Sequence, residues 1–334
     1  WGVVTRRFFE AGAMTTLLMA LLFIPLVFGL HDLYEWTHTE AVAEDPLLQS
    51  KAPYLNEPFF LARAAFYFIV WIGIALVLHR WAHVQDRTDL SAADRTRAND
   101  RQRQFSGPLL ALYGLTVTFA AFDWLMSLEP HWFSSIYGLM IAGGQALTAL
   151  AFGLVVLGWL AERSPLVDVI TERHYNDLGS FLLAATLIWM YLAFSQFLII
   201  WSGNLPEEVV WYLARLEGAW VWIAILLVLF HFAVPFALLL SGRIKRNRRW
   251  LMQIAVMLLV ADLLHLWWLV APAFHPGDFH LHWLDLAAPV GIGGVWVAVY
   301  LWWLRRRPLL PRQAPVDADP HVQPTRLQEV AVHE

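Results

Sequence analysis

Eight uninterrupted apolar stretches, each about 20 residues long, constrain this chain more than anything else in it. They run over about 9–30, 59–80, 106–128, 137–161, 179–202, 219–241, 250–273 and 286–304. A stretch of that length crosses bilayer hydrocarbon as a helix. In lipid every backbone amide and carbonyl needs an internal partner, so only helices or a closed barrel can span. Barrel strands alternate polar and apolar residues, whereas runs such as WIAILLVLFHFAVPFALLL do not. The expected fold is all-α, a polytopic integral membrane helical bundle over 1–307, with a polar, proline-rich tail over 308–334. Composition agrees: 59% of residues are apolar and 15% charged, against roughly 25% charged in a soluble domain. The 19 tryptophans suit a long boundary between lipid and water. The first stretch lacks a small-residue cleavage site and seven more follow it, so it does not read as a signal peptide. A net charge of -4 argues against nucleic-acid binding. Without cysteine, this chain offers no disulfide, thiolate zinc site, iron–sulfur ligation or covalent haem attachment.

Basic residues then set an orientation. If the spans alternate, all of the 23 lysines and arginines except Lys51, Arg63 and Arg215 fall on one side. Basic residues are retained on the cytoplasmic side, so both ends of this chain are expected there, the tail included. The other side carries a long acidic and aromatic connection, 31–58, which is expected to fold over the membrane surface. It also carries the short 274–285 loop, with His275, His280 and His282. The chain opens on Trp1 and reaches the pair Arg6–Arg7 at once, so a further segment is expected to precede it.

Ionisable residues inside apolar stretches need a partner or a purpose, because each costs at least roughly 2.5–3.5 kcal/mol at the bilayer centre. Asp262 and His265 share one face of the seventh stretch at i,i+3 spacing. His231 lies mid-way along the sixth, and the short RIKRNRR connection makes those two helices antiparallel neighbours. Three readings stay open: a proton relay, a polar pair that locks helix packing, or histidine ligation of a haem. A second constellation is FDWLMSLEPHWFSSIYG, 122–138, with Asp123, Glu129 and His131 among Trp124, Trp132, Phe133 and Tyr137. A carboxylate and a histidine in an aromatic pocket suit a quinol ring, with Glu129, His131 and Trp132 as its contacts. An interfacial aromatic belt with a helix cap is the other reading. Glu10 is either a proton uptake point or a solvated charge at a helix end. Gln145 and Gln196 read as buried packing amides beside small residues, and Arg63 as a snorkelling side chain. The loop histidines read as a hydrated loop or a metal site, and no metal site is assigned.

The segments LHDLYEWTH (30–38), FDWLMSLEPHWFSSIYG (122–138) and YLAFSQFLIIWSGNLPEEVVWYLAR (191–215) carry a resemblance. They resemble ActF, a membrane component of alternative complex III, which is a bacterial quinol:cytochrome c or quinol:electron-acceptor oxidoreductase. ActF is often labelled quinone-binding subunit 2, and the resemblance extends to about residue 306. It implies an NrfD/PsrC-like architecture of two four-helix bundles in the bacterial inner membrane, usually with ten spans, two of them before Trp1. It implies that menaquinone or quinol is the membrane substrate, and that iron–sulfur and haem c centres sit on partner subunits. The sister integral component, ActC, would hold the principal quinol site; lipids and a terminal oxidase complete the partners. The chain would then be non-redox and not catalytic by itself, a scaffold with proton half-channels. Glu10 would serve at the inner side, His231, Asp262 and His265 at mid-membrane, and Asp123, Glu129 and His131 at the outer exit. The rivals are direct quinol binding near Glu129 and His131, a pure assembly scaffold, and a stand-alone transporter. The last needs matched broken helices, for which Gly143–Gly144 and 289–294 are the only hints.

Overall fold

The computed structural model describes residues 1–86, 91–275, 279 and 281–310. Among them, eight helices are long and apolar enough to cross a membrane, and there is no strand. They are α1 (Gly2–Phe28), α2 (Glu57–Val84), α3 (Thr96–Leu128), α4 (Tyr137–Leu160), α5 (Glu172–Gly203), α6 (Trp220–Leu239), α7 (Arg248–Phe274) and α8 (Leu284–Leu304). The protein is thus an all-α, multi-pass membrane bundle.

Local chemistry fixes where the helices start and stop. Asn56 and Asn247 cap α2 and α7, their side-chain oxygens accepting amides of Phe59 (3.0 Å) and of Arg249 and Trp250 (3.0 and 3.2 Å). Asn204 closes α5 in the left-handed conformation, with φ 45°, which asparagine tolerates better than most residues. The 31–58 connection folds as short helices Leu30–Leu33, Thr39–Glu44 and Pro46–Lys51 over a cluster of Leu30, Tyr34, Trp36, Leu48, Leu55 and Phe60. Asp45 caps the last of these, with Pro46 at its first position. The described parts of the basic 81–105 region, 81–86 and 91–105, are largely helical rather than a plain connection. Helix continues to Gln85 and resumes at Ala92, because its arginines, alanines and glutamines are good helix formers.

The helix α4 sits at the centre, packed against α1, α3, α5 and α7. Gly138 and Gly158 permit close crossings: a Cβ on the first would lie 2.5 Å from Thr118 of α3, and one on the second 2.2 Å from Met252 of α7. The pair α6 and α7 are neighbours, as their short connection requires, and α1 packs on α2 and α8. Arg307, just past α8, lies 3.7 Å from Glu10, which brings the end of α8 beside α1. Leu309 and Leu310 fold back onto the core, while 311–334, the rest of the expected tail, lies outside the described residues.

Besides α3, which ends in a 3-10 turn over Met126–Leu128, two helices depart from regularity, at positions other than the glycines. In α1 a turn at Met14–Thr15 keeps right-handed backbone angles, and Trp296 of α8 donates to the Thr15 hydroxyl at 2.8 Å. In α6 a π-helical segment, Val228–Ala233, precedes Pro235. Gly143–Gly144 and 289–294 lie inside continuous helix.

Candidate functional site

The mid-membrane residues come together. Spacing on α7 aligns Asp262 with His265, and α6 brings His231 to them. One ligand atom from each lies within 4.8 Å of the other two. The closest approach described is His231 Nε2 to Asp262 Oδ1, at 3.9 Å, too long for a hydrogen bond. The His231 side chain is 0% exposed, and neither ring nitrogen has a hydrogen-bond partner. It sits in the π segment, a distortion that recurs at functional sites. Trp189 of α5 covers the pair, its ring 3.9 Å from that of His231 and 5.1 Å, edge-on, from that of His265.

Small residues of α4 leave room for this group. A Cβ on Gly144 would already stand 3.7 Å from Asp262 Oδ1 and from Trp189. One turn on, the Thr148 hydroxyl lies 2.8 Å from both Asp262 Oδ2 and the Gly144 carbonyl. It has one proton and can donate to only one of these at a time.

The cluster opens on a cavity of about 810 Å³ between α1, α2, α3, α4, α7 and α8. Asp262, His265, Thr148, Gln145, Tyr113 and Thr15 give this otherwise apolar space its polar wall. It spans levels from Phe8 and Leu78 to Leu125 and Met140, a large part of the bundle's length. Space of this size with several polar partners has room for water, or for the ring of a small ligand. Gln145 is therefore not the buried packing amide its neighbours suggested. It is exposed to the cavity and accepts from the Tyr113 hydroxyl at 3.0 Å, because α4 turns residues 144 and 147, not 145, into the core. Gln196 does pack, 2% exposed, between Ser134 and Tyr212.

At the acidic end, the three grouped candidates part company. Asp123 is 0% exposed and accepts from Nε and Nη2 of Arg63, at 2.8 and 3.0 Å, with the Tyr67 hydroxyl at 2.7 Å. Arg63 also donates to the Tyr54 carbonyl and lies between the Tyr54 and Phe59 rings, so it is buried rather than snorkelling. The same burial pushes the Tyr54 hydroxyl up to about 12, with Asp123 adding to the effect. Glu129 meets Arg215, itself 0% exposed, at 3.1 and 2.5 Å. Arg215 further donates to the carbonyls of Trp211 and Leu269 and lies over the Trp211 ring. His131 instead pairs with Asp45 on the exposed 31–58 connection. That hydrogen bond holds the Asp45 carboxyl below its ordinary value. The aromatic ring of the expected pocket divides too. Trp132 stacks on Trp211 at 4.6 Å, Phe133 is exposed, and Trp124 packs with Phe23 and Phe68.

At the basic end, Glu10 is not a solvated charge. Arg6 and Arg7 donate to it at 2.7 and 2.6 Å, Arg7 also pairs with Asp86, and Arg307 completes the group beside His79. Burial pulls the Arg307 guanidinium below its ordinary value, reinforced by Arg7 and opposed by Glu10. A void of about 10 Å³ touches Glu10, His79 and Arg307, space for roughly one water. In the 274–285 loop, the His282 ring accepts the Leu284 amide at 3.3 Å, and His280 lies outside the described residues.

Several of these partners escaped sequence reading. Arg63 and Arg215 carried a usable signal, as two of the three basic residues on the acidic side, at the depth of Asp123 and Glu129. Trp189, Thr148 and Tyr67 carried none, since nothing in their neighbourhood sets them apart from other apolar-stretch residues. No protein-family model matches the chain, and no curated protein matches it.

Proposed function

We propose that this chain is a non-redox integral subunit of a respiratory quinol:electron-acceptor oxidoreductase of the alternative complex III type. In this reading it lies in the bacterial inner membrane, with both ends cytoplasmic, and moves protons through part of the bilayer. One observation carries the reading. His231, Asp262 and His265 converge at mid-depth with no lysine or arginine paired to them among the described residues, and two of the three face a large cavity. A carboxyl and two imidazoles this close can pass a proton between them through a small side-chain rotation or one water. The Thr148 hydroxyl, shared between Asp262 and a backbone carbonyl, adjusts to either protonation state of the acid. At the basic end Glu10 is locked by Arg6 and Arg7, so the one-water void beside it serves as a point of water entry and Glu10 itself is not the carrier. The exposed His131–Asp45 pair serves at the exit, while Asp123 and Glu129, locked by arginines, act as structural ion pairs. Menaquinol oxidation belongs to the partners: ActC, the iron–sulfur and cytochrome c proteins, and a terminal oxidase beyond them. The test is Asp262→Asn in the assembled complex, with proton release per electron measured in vesicles. The reading expects a fall in that ratio at undiminished quinol oxidation; an unchanged ratio removes it.

A second reading rests on the cavity volume, which lies within the range of small-ligand pockets. A quinol ring would hydrogen-bond Asp262 or Gln145 there, rather than Glu129 and His131. A photoreactive quinone analogue distinguishes the two: labelled peptides from α4 or α7 favour quinol binding, and labelling confined to partner subunits dismisses it.

A further inference from the structure

We infer that His231, Asp262 and His265 form a binding site for a divalent transition-metal ion of the zinc class, loaded from the cavity, and that its occupancy blocks proton passage. The blocking half rests on the proton-path reading; the binding half stands without it. Two imidazoles and one carboxylate are a donor set used by open zinc sites, where a fourth position is left for water. Nitrogen and oxygen donors without thiolate also suit copper(II), and disfavour the hard cations magnesium and calcium. The ligand atoms lie within 4.8 Å of one another. A tetrahedral ion with bonds of about 2.0–2.1 Å needs its ligands about 3.3 Å apart, so side-chain closure of up to about 1.5 Å completes the site.

Two further observations point to a ligand. His231 is fully enclosed with both ring nitrogens unpartnered, a cost that native interiors avoid and that coordination would relieve at one of the two nitrogens. Asp262 already has its other oxygen held by Thr148, the kind of outer hydrogen bond that orients a ligating carboxylate. Access and the open position both come from the cavity, which Asp262 and His265 line. Binding displaces any proton on these groups and ties up the lone pairs that would carry it. One carboxylate leaves the ion with a formal positive charge in a low-dielectric setting, so a chelator should remove it readily.

The experiment titrates Zn²⁺ alone into the purified complex and counts bound metal after gel filtration, then repeats with Co²⁺ and reads its visible absorption. The expected result is one equivalent in the parent protein, lost in both Asp262→Asn and His231→Asn, and kept in His31→Asn, which disrupts an exposed histidine–glutamate pair. Both site variants are checked by elution volume, so that a misfolded one is set aside and the other decides. Superimposable titrations of the parent and either folded site variant overturn the site. Proton release is then measured with and without Zn²⁺. Metal bound with proton release unchanged overturns the block and leaves the site standing. No metal bound, with Asp262→Asn still lowering proton release, overturns the site and leaves the proton path standing.

Discussion

The acidic end and the middle of the bundle place the same kind of residue in the same kind of sequence, and treat it in opposite ways. Asp123 and Glu129 each receive a buried arginine, which adds further hydrogen bonds to carbonyls and lies over aromatic rings. Such bidentate, fully engaged pairs offset the cost of removing charge from water, and they hold α2 to α3 and the 122–138 segment to the short helix Pro206–Leu216 that lies between α5 and α6. Asp262 has a threonine and two nearby imidazoles but no paired cation among the described residues. It faces a cavity instead of a packed neighbour. An acid locked to a guanidinium cannot act as a proton carrier without breaking the fold, whereas one beside neutral groups and open space can change protonation state. The contrast separates structural charge from charge available for work.

Breaking the locked side should have the largest effect. Arg63→Leu strands Asp123 in the interior and should cost about 3–5 kcal/mol, read as a lower unfolding midpoint in detergent. Adding Asp123→Leu should restore most of the loss, because a buried pair replaced as a unit is often close to neutral. Filling the open side should cost less. Gly144→Val directs new methyl groups at Trp189 and Asp262 and should cost about 1–3 kcal/mol by overpacking. If α4 yields instead, stability will stay level and the tight seat for the cluster is wrong.

The opposite pattern should mark Asp262→Asn. Its stability cost should stay near the ~0.6 kcal/mol average of an intramembrane hydrogen bond, while proton release falls. A stability loss as large as that of Arg63→Leu would place Asp262 among the locked residues and erase the contrast.

The fold was legible because lipid forces a simple rule: each of the eight apolar runs became one helix, with boundaries moved mainly where basic, helix-forming residues extend them, as at Gln85 and Ala92. The meeting of His231 with Asp262 and His265 was legible for a related reason, since a short connection and i,i+3 spacing leave few alternatives. What could not be read was partner choice across helices far apart in sequence. Asp123, Glu129 and His131 lie within nine residues of one another, yet Asp123 is on α3 while Glu129 and His131 lie on the turn that follows it, so each meets a different partner: Arg63, Arg215 and Asp45. Gln145 was misread because small neighbours signal close packing of a helix, not which of its faces is packed.

The smallest expected effect lies at the surface. Asp45 has a folded-state carboxyl below its ordinary value, so its pairing with His131 is in full force above that ordinary value, near 3.9, and is lost as pH falls through the depressed folded one. Acid should therefore raise hydrogen exchange in the Pro46–Lys51 helix before it affects the core. In Asp45→Asn that pH step should vanish; if it persists, another group sets it.

Water access to the middle of the bundle decides between the two treatments of charge. Slow deuterium exchange at the histidine ring C2 position, read by mass spectrometry on the intact protein in D₂O, reports it for each imidazole separately. The account predicts that His265, on the cavity wall, takes up deuterium while the protein stays folded, as exposed His131 does. A His265 that stays unlabelled after His131 has exchanged fully would mean a dry, sealed cluster and would contradict the proton path.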